Sequence, residues 1–88
     1  MKEVQVEIVN KLGLHARPAA EIVKTAAKFA SNITLIRDDL EVNGKSIMGV
    51  MMLAAECGST LALRAAGPDE VAALDALASL IANGFGEK

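Results

Sequence analysis

Segments with strand and helix patterns follow one another along this 88-residue chain in an order that limits its possible folds. Residues 4–8 alternate apolar and polar side chains, as a half-buried strand does. Apolar residues recur at helical spacing over residues 16–30. Further strands are predicted over 33–37, 40–42 and 61–65, a short helix over 47–54, and a last helix that begins near 67–70 and ends at 83–84. The predicted order is therefore β-α-β-β-α-β-α.

Each predicted helix has one apolar stripe, so each element must bury one face. The economical arrangement is an α+β fold: one four-stranded, mostly antiparallel sheet with all three helices on one face. Because the chain is short and has no repeat or linker, we expect a single domain over residues 1–88. We expect Ala30 and Val71 in the helix stripes, Pro68 at the first position of the last helix, and Cys57 buried or half-buried.

Composition excludes several classes of function. A net charge of −2 and only two aromatic residues argue against nucleic-acid binding. One cysteine and one histidine offer no metal cluster and no internal disulfide, so we expect neither a metal nor another cofactor. We also expect no signal peptide and no membrane insertion, and therefore a protein of the cytoplasm.

The only histidine, His15, lies where a loop passes into the first helix. An imidazole can be a neutral nucleophile near pH 7. Arg17 adds a guanidinium that matches phosphoryl oxygens, and Pro18 suits a first helical turn. The backbone N–H groups of Ala16 and Arg17, at the positive end of the helix dipole, would bind an anion. A solvated or capping histidine is the alternative, but this context predicts a phosphoryl group carried on nitrogen.

The segment that begins at Ser46 carries a second candidate site. Serine is a common helix N-cap, and a phosphate on its hydroxyl would also be tolerated at a helix start. Ile47, Met48, Met51 and Met52 cannot all face inward from so short a helix. An exposed apolar patch on a small domain indicates a partner-binding surface.

Two motifs carry a resemblance to a known family: Gly13-Leu14-His15-Ala16-Arg17-Pro18 and Gly44-Lys45-Ser46-Ile47-Met48-Gly49-Val50-Met51. With both motifs, the chain resembles over its whole length the HPr family, the histidine-containing phosphocarriers of the bacterial phosphoenolpyruvate:sugar phosphotransferase system. The resemblance implies an open-faced β-sandwich with strand order 1-4-2-3. We expect a monomer.

The resemblance also implies roles for the motif residues. Enzyme I would phosphorylate His15 at Nδ1, His15 would pass the group to IIA domains of sugar permeases, and Arg17 would pair with the phosphoryl oxygens. The apolar docking surface shared by these partners would consist of Leu14, Ile47, Met48 and Met51. With one histidine and no second acid–base group, we expect a carrier rather than an independent enzyme.

Ser46 matches the site that an ATP-dependent HPr kinase/phosphorylase modifies in Firmicutes and some Gram-negative bacteria. Two alternatives stay open. One is a nitrogen-branch carrier whose acceptor is a regulatory IIA protein. The other is a purely regulatory interaction module in which Ser46 is the only modified residue and His15 only contacts a partner. The intact motif from His15 to Pro18 favours a carrier.

Overall fold

Strands and helices occur in the predicted order. The computed structural model describes residues 1–86, so the last two residues of the predicted domain lie outside the described residues. The elements are β1 (Lys2–Glu7), α1 (Ala16–Ala26), β2 (Asn32–Arg37), β3 (Leu40–Asn43), α2 (Ile47–Met52), β4 (Thr60–Ala66) and α3 (Glu70–Ala82), followed by a short 3-10 turn over Gly84–Gly86. Within this range no helix is long and apolar enough to span a membrane.

The four strands form one antiparallel sheet in the order β1-β4-β2-β3. This confirms the predicted α+β fold and the 1-4-2-3 strand order. The helices cover one face, where Leu61 and Leu63 of β4 are fully buried. On the open face, Arg64 contacts Glu3 of β1 at 3.2 Å and Glu41 of β3 at 3.4 Å, and so links the two edge strands. These exposed ion pairs contribute little to stability.

Strand β1 is less buried than its alternating pattern predicts. Val4 is 38% exposed and Val6 is only half-buried, whereas Ile8, just beyond the strand, is fully buried. The reason is position: β1 is an edge strand paired only with β4, so the helix layer covers it only in part.

Two helices end earlier than their apolar spacing predicts. Helix α1 ends at Ala26 rather than near residue 30, and Ala30 is exposed. After Ala26 the N–H groups of Lys28 and Phe29 donate to carbonyls only three residues back. The Ala30 N–H donates to Asp69 at 2.8 Å instead of continuing the helix. Helix α2 ends at Met52 rather than near residue 54, because Ala54 takes a positive φ of 49°.

The start of α3 also differs from the prediction. Asp69 is the N-cap residue, so Pro68 lies before the helix rather than at its first position. The Asp69 carboxylate does not cap its own helix; it accepts hydrogen bonds from the N–H groups of Ala30 and Ser31 and from the Ser31 hydroxyl. The Ser31 hydroxyl, and then the Ala30 N–H, hold the pKa of Asp69 below its usual value. This contact joins the turn between α1 and β2 to the start of α3.

The core lies between the sheet and the helix layer and is built from aliphatic side chains. Val71 is 52% exposed and does not belong to it, because Ala73 occupies the inward position on the first turns of α3. Cys57 is exposed rather than buried, so that prediction was wrong; its Sγ lies 3.8 Å from the Val9 carbonyl oxygen. The largest fully buried side chains are Ile8, Ile22, Leu35, Val50, Leu61, Leu63, Leu77 and Ile81.

Candidate functional site

His15 is the N-cap residue of α1, with extended backbone angles of φ −82° and ψ −173°. Its carbonyl oxygen accepts the hydrogen bond from Ala19 N–H at 3.0 Å that begins the helix. The residue is half-buried. This confirms that His15 lies at the junction of loop and helix, with its ring outside the core.

The loop before His15 is tightly braced. The buried side chain of Asn10 donates to the Gly13 carbonyl at 2.8 Å, and the same carbonyl accepts from His15 N–H at 3.0 Å. Gly13 has a φ of +69°, and a Cβ at this position would collide with the carbonyl oxygen of Ala55. Only glycine therefore fits this turn without strain.

The first turn of α1 has the features of an anion site. Ala16 and Arg17 are the first two helical residues, and both are exposed. Their N–H groups precede the first helical hydrogen bond, and Pro18 has no N–H to offer. Arg17 is a cation at the positive end of a helix dipole, which is unfavourable without an anion nearby. Donors and charge are thus concentrated beside His15.

Ser46 is the N-cap residue of α2. Its Oγ accepts a hydrogen bond from Gly49 N–H at 3.1 Å, and its backbone is extended. The residue is half-buried. The structure therefore confirms the capping role; phosphorylation of Ser46 stays a prediction.

Helix α2 packs beside α1 and presents apolar side chains to solvent. The exposed fractions are 45% for Ile47, 73% for Met48, 41% for Met51 and 63% for Met52, while Val50 is fully buried. The prediction that some of these side chains must be exposed is confirmed. We call Ile47, Met48, Met51 and Met52 the α2 patch.

Leu14 does not belong to this exposed surface. It is only 6% exposed and joins the core, which differs from the exposed position that a docking residue was expected to have. Its N–H donates to the Ala55 carbonyl at 2.9 Å, which draws the side chain inward. Leu14 therefore anchors the loop that carries His15, and its part in docking stays a prediction.

Three residues that organise this region are absent from the sequence-based prediction. Asn10 braces the loop, Ala55 receives Leu14, and Arg37 donates to the carbonyl oxygens at the end of α2. The spacing of Asn10 and Gly13 could have signalled a side-chain-braced turn. Nothing local marks the other two, since their partners are distant in sequence.

The fold is an open-faced α+β sandwich, and it presents a histidine at the start of a helix. Together these features define a class of small histidine-containing domains. The family model described as "PTS HPr component phosphorylation site" matches residues 2–83. The chain therefore belongs to the HPr family, the phosphocarrier proteins of the phosphotransferase system.

Relatives and a solved structure agree with this membership. The chain is 57% identical to phosphocarrier protein HPr of Treponema pallidum over 83 residues, which cover 94% of each chain. It is 53% identical to phosphocarrier protein HPr of Cupriavidus necator, covering 99% of this chain and 98% of the relative. The crystal structure of an HPr from Thermoanaerobacter tengcongensis superposes with a TM-score of 0.96 at 53% identity, covering 100% of this chain and 99% of that one.

Proposed function

We propose that this protein accepts a phosphoryl group from phospho-enzyme I on His15 and passes it to IIA domains of sugar permeases. One observation carries the proposal: the only histidine of the chain occupies the N-cap position of α1, outside the core, next to two amide groups that precede the first helical bond. We further propose that it works as a single domain in the cytoplasm. It transfers a group that a partner activates and is not an enzyme by itself.

The chemistry needs a nucleophile and stabilisation of charge. A ring nitrogen of His15, Nδ1 by analogy with the family, attacks phosphorus, and the bond to enzyme I breaks as the new N–P bond forms. The Ala16 and Arg17 N–H groups and the Arg17 guanidinium stabilise the charge on the moving phosphoryl oxygens. In transfer to a IIA domain, a nucleophile of that domain attacks phosphorus and the N–P bond to His15 breaks. This is the same kind of displacement, so no further acid–base group is required.

Successive partners need one common surface, and the α2 patch supports that role. Its apolar area is exposed on a helix that packs beside α1, and in this proposal a partner that covers the α2 patch also reaches His15. Ile47, Met48 and Met51 form the docking surface in this proposal. Flexible methionine side chains suit a surface that must fit several partners.

Phosphorylation of Ser46 by an HPr kinase/phosphorylase is the regulatory part of the proposal. A phosphate there would keep the helix start satisfied but place about two negative charges beside the α2 patch. A relative named HPr-like protein Crh, from Halalkalibacterium halodurans, is 49% identical over 81 residues. Crh of Bacillus subtilis, described as a catabolite repression HPr, is 45% identical, which supports a regulatory use of the fold; in this proposal control of carbon use acts through Ser46.

The acting species in this proposal is a monomer. A related HPr from Thermoanaerobacter tengcongensis, 54% identical, has been crystallised as a dimer. Analytical ultracentrifugation over a range of concentrations tests the point for this chain, and a dimer at all concentrations would contradict it.

One experiment separates a carrier from a purely regulatory module. The protein is incubated with phosphoenolpyruvate and catalytic enzyme I, its intact mass is measured, and a IIA domain is then added. We expect the gain of one phosphoryl group and its loss to the IIA domain. Arg17→Ala should slow the gain by about tenfold or more, whereas Lys24→Ala, a cation two turns along α1, should not. A protein that never gains the group is no carrier. Use of a nitrogen-regulatory IIA alone would assign the nitrogen branch.

A further inference from the structure

Arg37, the last residue of β2, connects the sheet to the α2 patch. Alternation along β2 places Arg37 on the same face as the buried Ile33 and Leu35, towards the helices. Its Nη1 donates to the carbonyl oxygens of Leu53 at 2.9 Å and Ala54 at 2.8 Å. These two carbonyls lie just beyond the end of α2.

The end of α2 has a particular need for such a contact. The helix has six residues, which is too short to be stable without tertiary support. Ala54 has a positive φ of 49°, a conformation that residues other than glycine rarely adopt. A guanidinium at this end also complements the negative pole of the helix. Arg37 therefore holds a backbone geometry that the local sequence does not favour.

The same segment continues to the loop that carries His15. Ala55, next in the chain, accepts the hydrogen bond from Leu14 N–H at 2.9 Å. Gly13 approaches the same carbonyl closely. Arg37 is thus linked through residues 53–55 to Leu14, the residue before His15. The same two hydrogen bonds hold the segment that directly follows the helix carrying the α2 patch.

We propose that Arg37 is a positioning residue for phosphotransfer, which keeps the α2 patch and the His15 loop in one fixed arrangement for docking. This inference rests on the proposed function. The arginine contributes geometry rather than chemistry, since its contacts are with backbone carbonyls. Its loss should therefore weaken docking more than the transfer step.

Steady-state transfer from enzyme I tests the proposal, with Arg37→Gln compared with the wild type. We expect the KM for this protein to rise about fivefold, with kcat changed by less than about twofold. Amide hydrogen exchange at Leu14 should accelerate in the same variant, while fully buried strand amides stay protected. Arg37→Lys keeps a donor and the charge, so its KM should lie between those of the wild type and Arg37→Gln.

Arg64→Gln is the matched control, since it removes the same charge and two ion pairs from the open face of the sheet. All assays are run well below the melting temperature of each variant. If Arg37→Gln does not fold, Arg37→Lys replaces it as the test variant. An unchanged KM with unchanged Leu14 exchange overturns the role of Arg37, and so does an equal rise in KM for Arg64→Gln. A wild type that accepts no phosphoryl group overturns the proposed function and this inference together.

Discussion

The hydroxyl of Ser46 accepts a hydrogen bond from the backbone N–H of Gly49 at 3.1 Å, so the residue proposed for regulation is also the residue that caps α2. The capping role and the regulatory role can be separated by substitution, because one affects stability and the other affects the charge of the surface. Removal of the oxygen costs stability, whereas a negative charge keeps the cap and changes the surface beside it.

Ser46→Ala should therefore lower the free energy of unfolding by about 1 kcal/mol. Ser46→Asp should keep near wild-type stability, because aspartate caps as well as serine, but should slow transfer to His15 by charge repulsion. Thermal melts and enzyme I kinetics measure the two effects. Ser79→Ala, at an exposed position within α3, controls for loss of a hydroxyl. A destabilised Ser46→Asp with normal kinetics would contradict this account.

Gly13→Ala should lower the free energy of unfolding by about 1–3 kcal/mol, because it combines a positive φ with a collision against the Ala55 carbonyl. It should also slow phosphorylation, since the loop before His15 must move. Gly58 offers a control: its φ is +94°, but nothing lies within 4 Å of an added Cβ. Gly58→Ala should show the backbone cost alone and normal phosphorylation. Equal kinetics in the two variants would argue against a braced loop.

Asp69 predicts a specific dependence of stability on pH. Its pKa is lowered in the folded state, chiefly by the Ser31 hydroxyl and the Ala30 N–H. The contribution of Asp69 to the free energy of unfolding is therefore fully present above the pKa of an unfolded-state carboxyl, about 4. It is lost as the pH falls through the lower pKa of Asp69 in the folded state. Asp69→Asn should lower the melting temperature near pH 7, and the difference from the wild type should shrink below about pH 4. Asp75→Asn, at an exposed position on α3, is the control. A constant difference across this range would refute the assignment.

Met48 and Val50 separate docking from folding on one helix. Met48 is 73% exposed and Val50 is fully buried. Met48→Ala should change stability by less than about 0.5 kcal/mol but weaken binding to enzyme I about fivefold. Val50→Ala should cost about 1–3 kcal/mol of stability. Titrations beside thermal melts measure both. The docking role fails if Met48→Ala lowers the melting temperature sharply and leaves affinity unchanged.

Local patterns were sufficient to locate His15 at a helix start and Ser46 as a cap, because capping and strand alternation depend on near neighbours. Local patterns failed where contacts between residues distant in sequence determine the structure. The resemblance assigned Leu14 to the docking surface, but the side chain is buried in the core, and its N–H donates to the distant Ala55 carbonyl. The turn between α1 and β2 is held by Asp69, which lies far along the chain. For the same reason no pattern predicted the contact of Arg37 with α2.

The central claim is that His15 is the residue that carries the phosphoryl group. The most direct measurement is the intact mass of wild-type, Ser46→Ala and His15→Ala protein after incubation with phosphoenolpyruvate and enzyme I, with and without brief acid treatment. We predict that wild-type and Ser46→Ala protein gain one acid-labile phosphoryl group, and that folded His15→Ala gains none. Phosphorylation of His15→Ala to the wild-type extent would contradict the account.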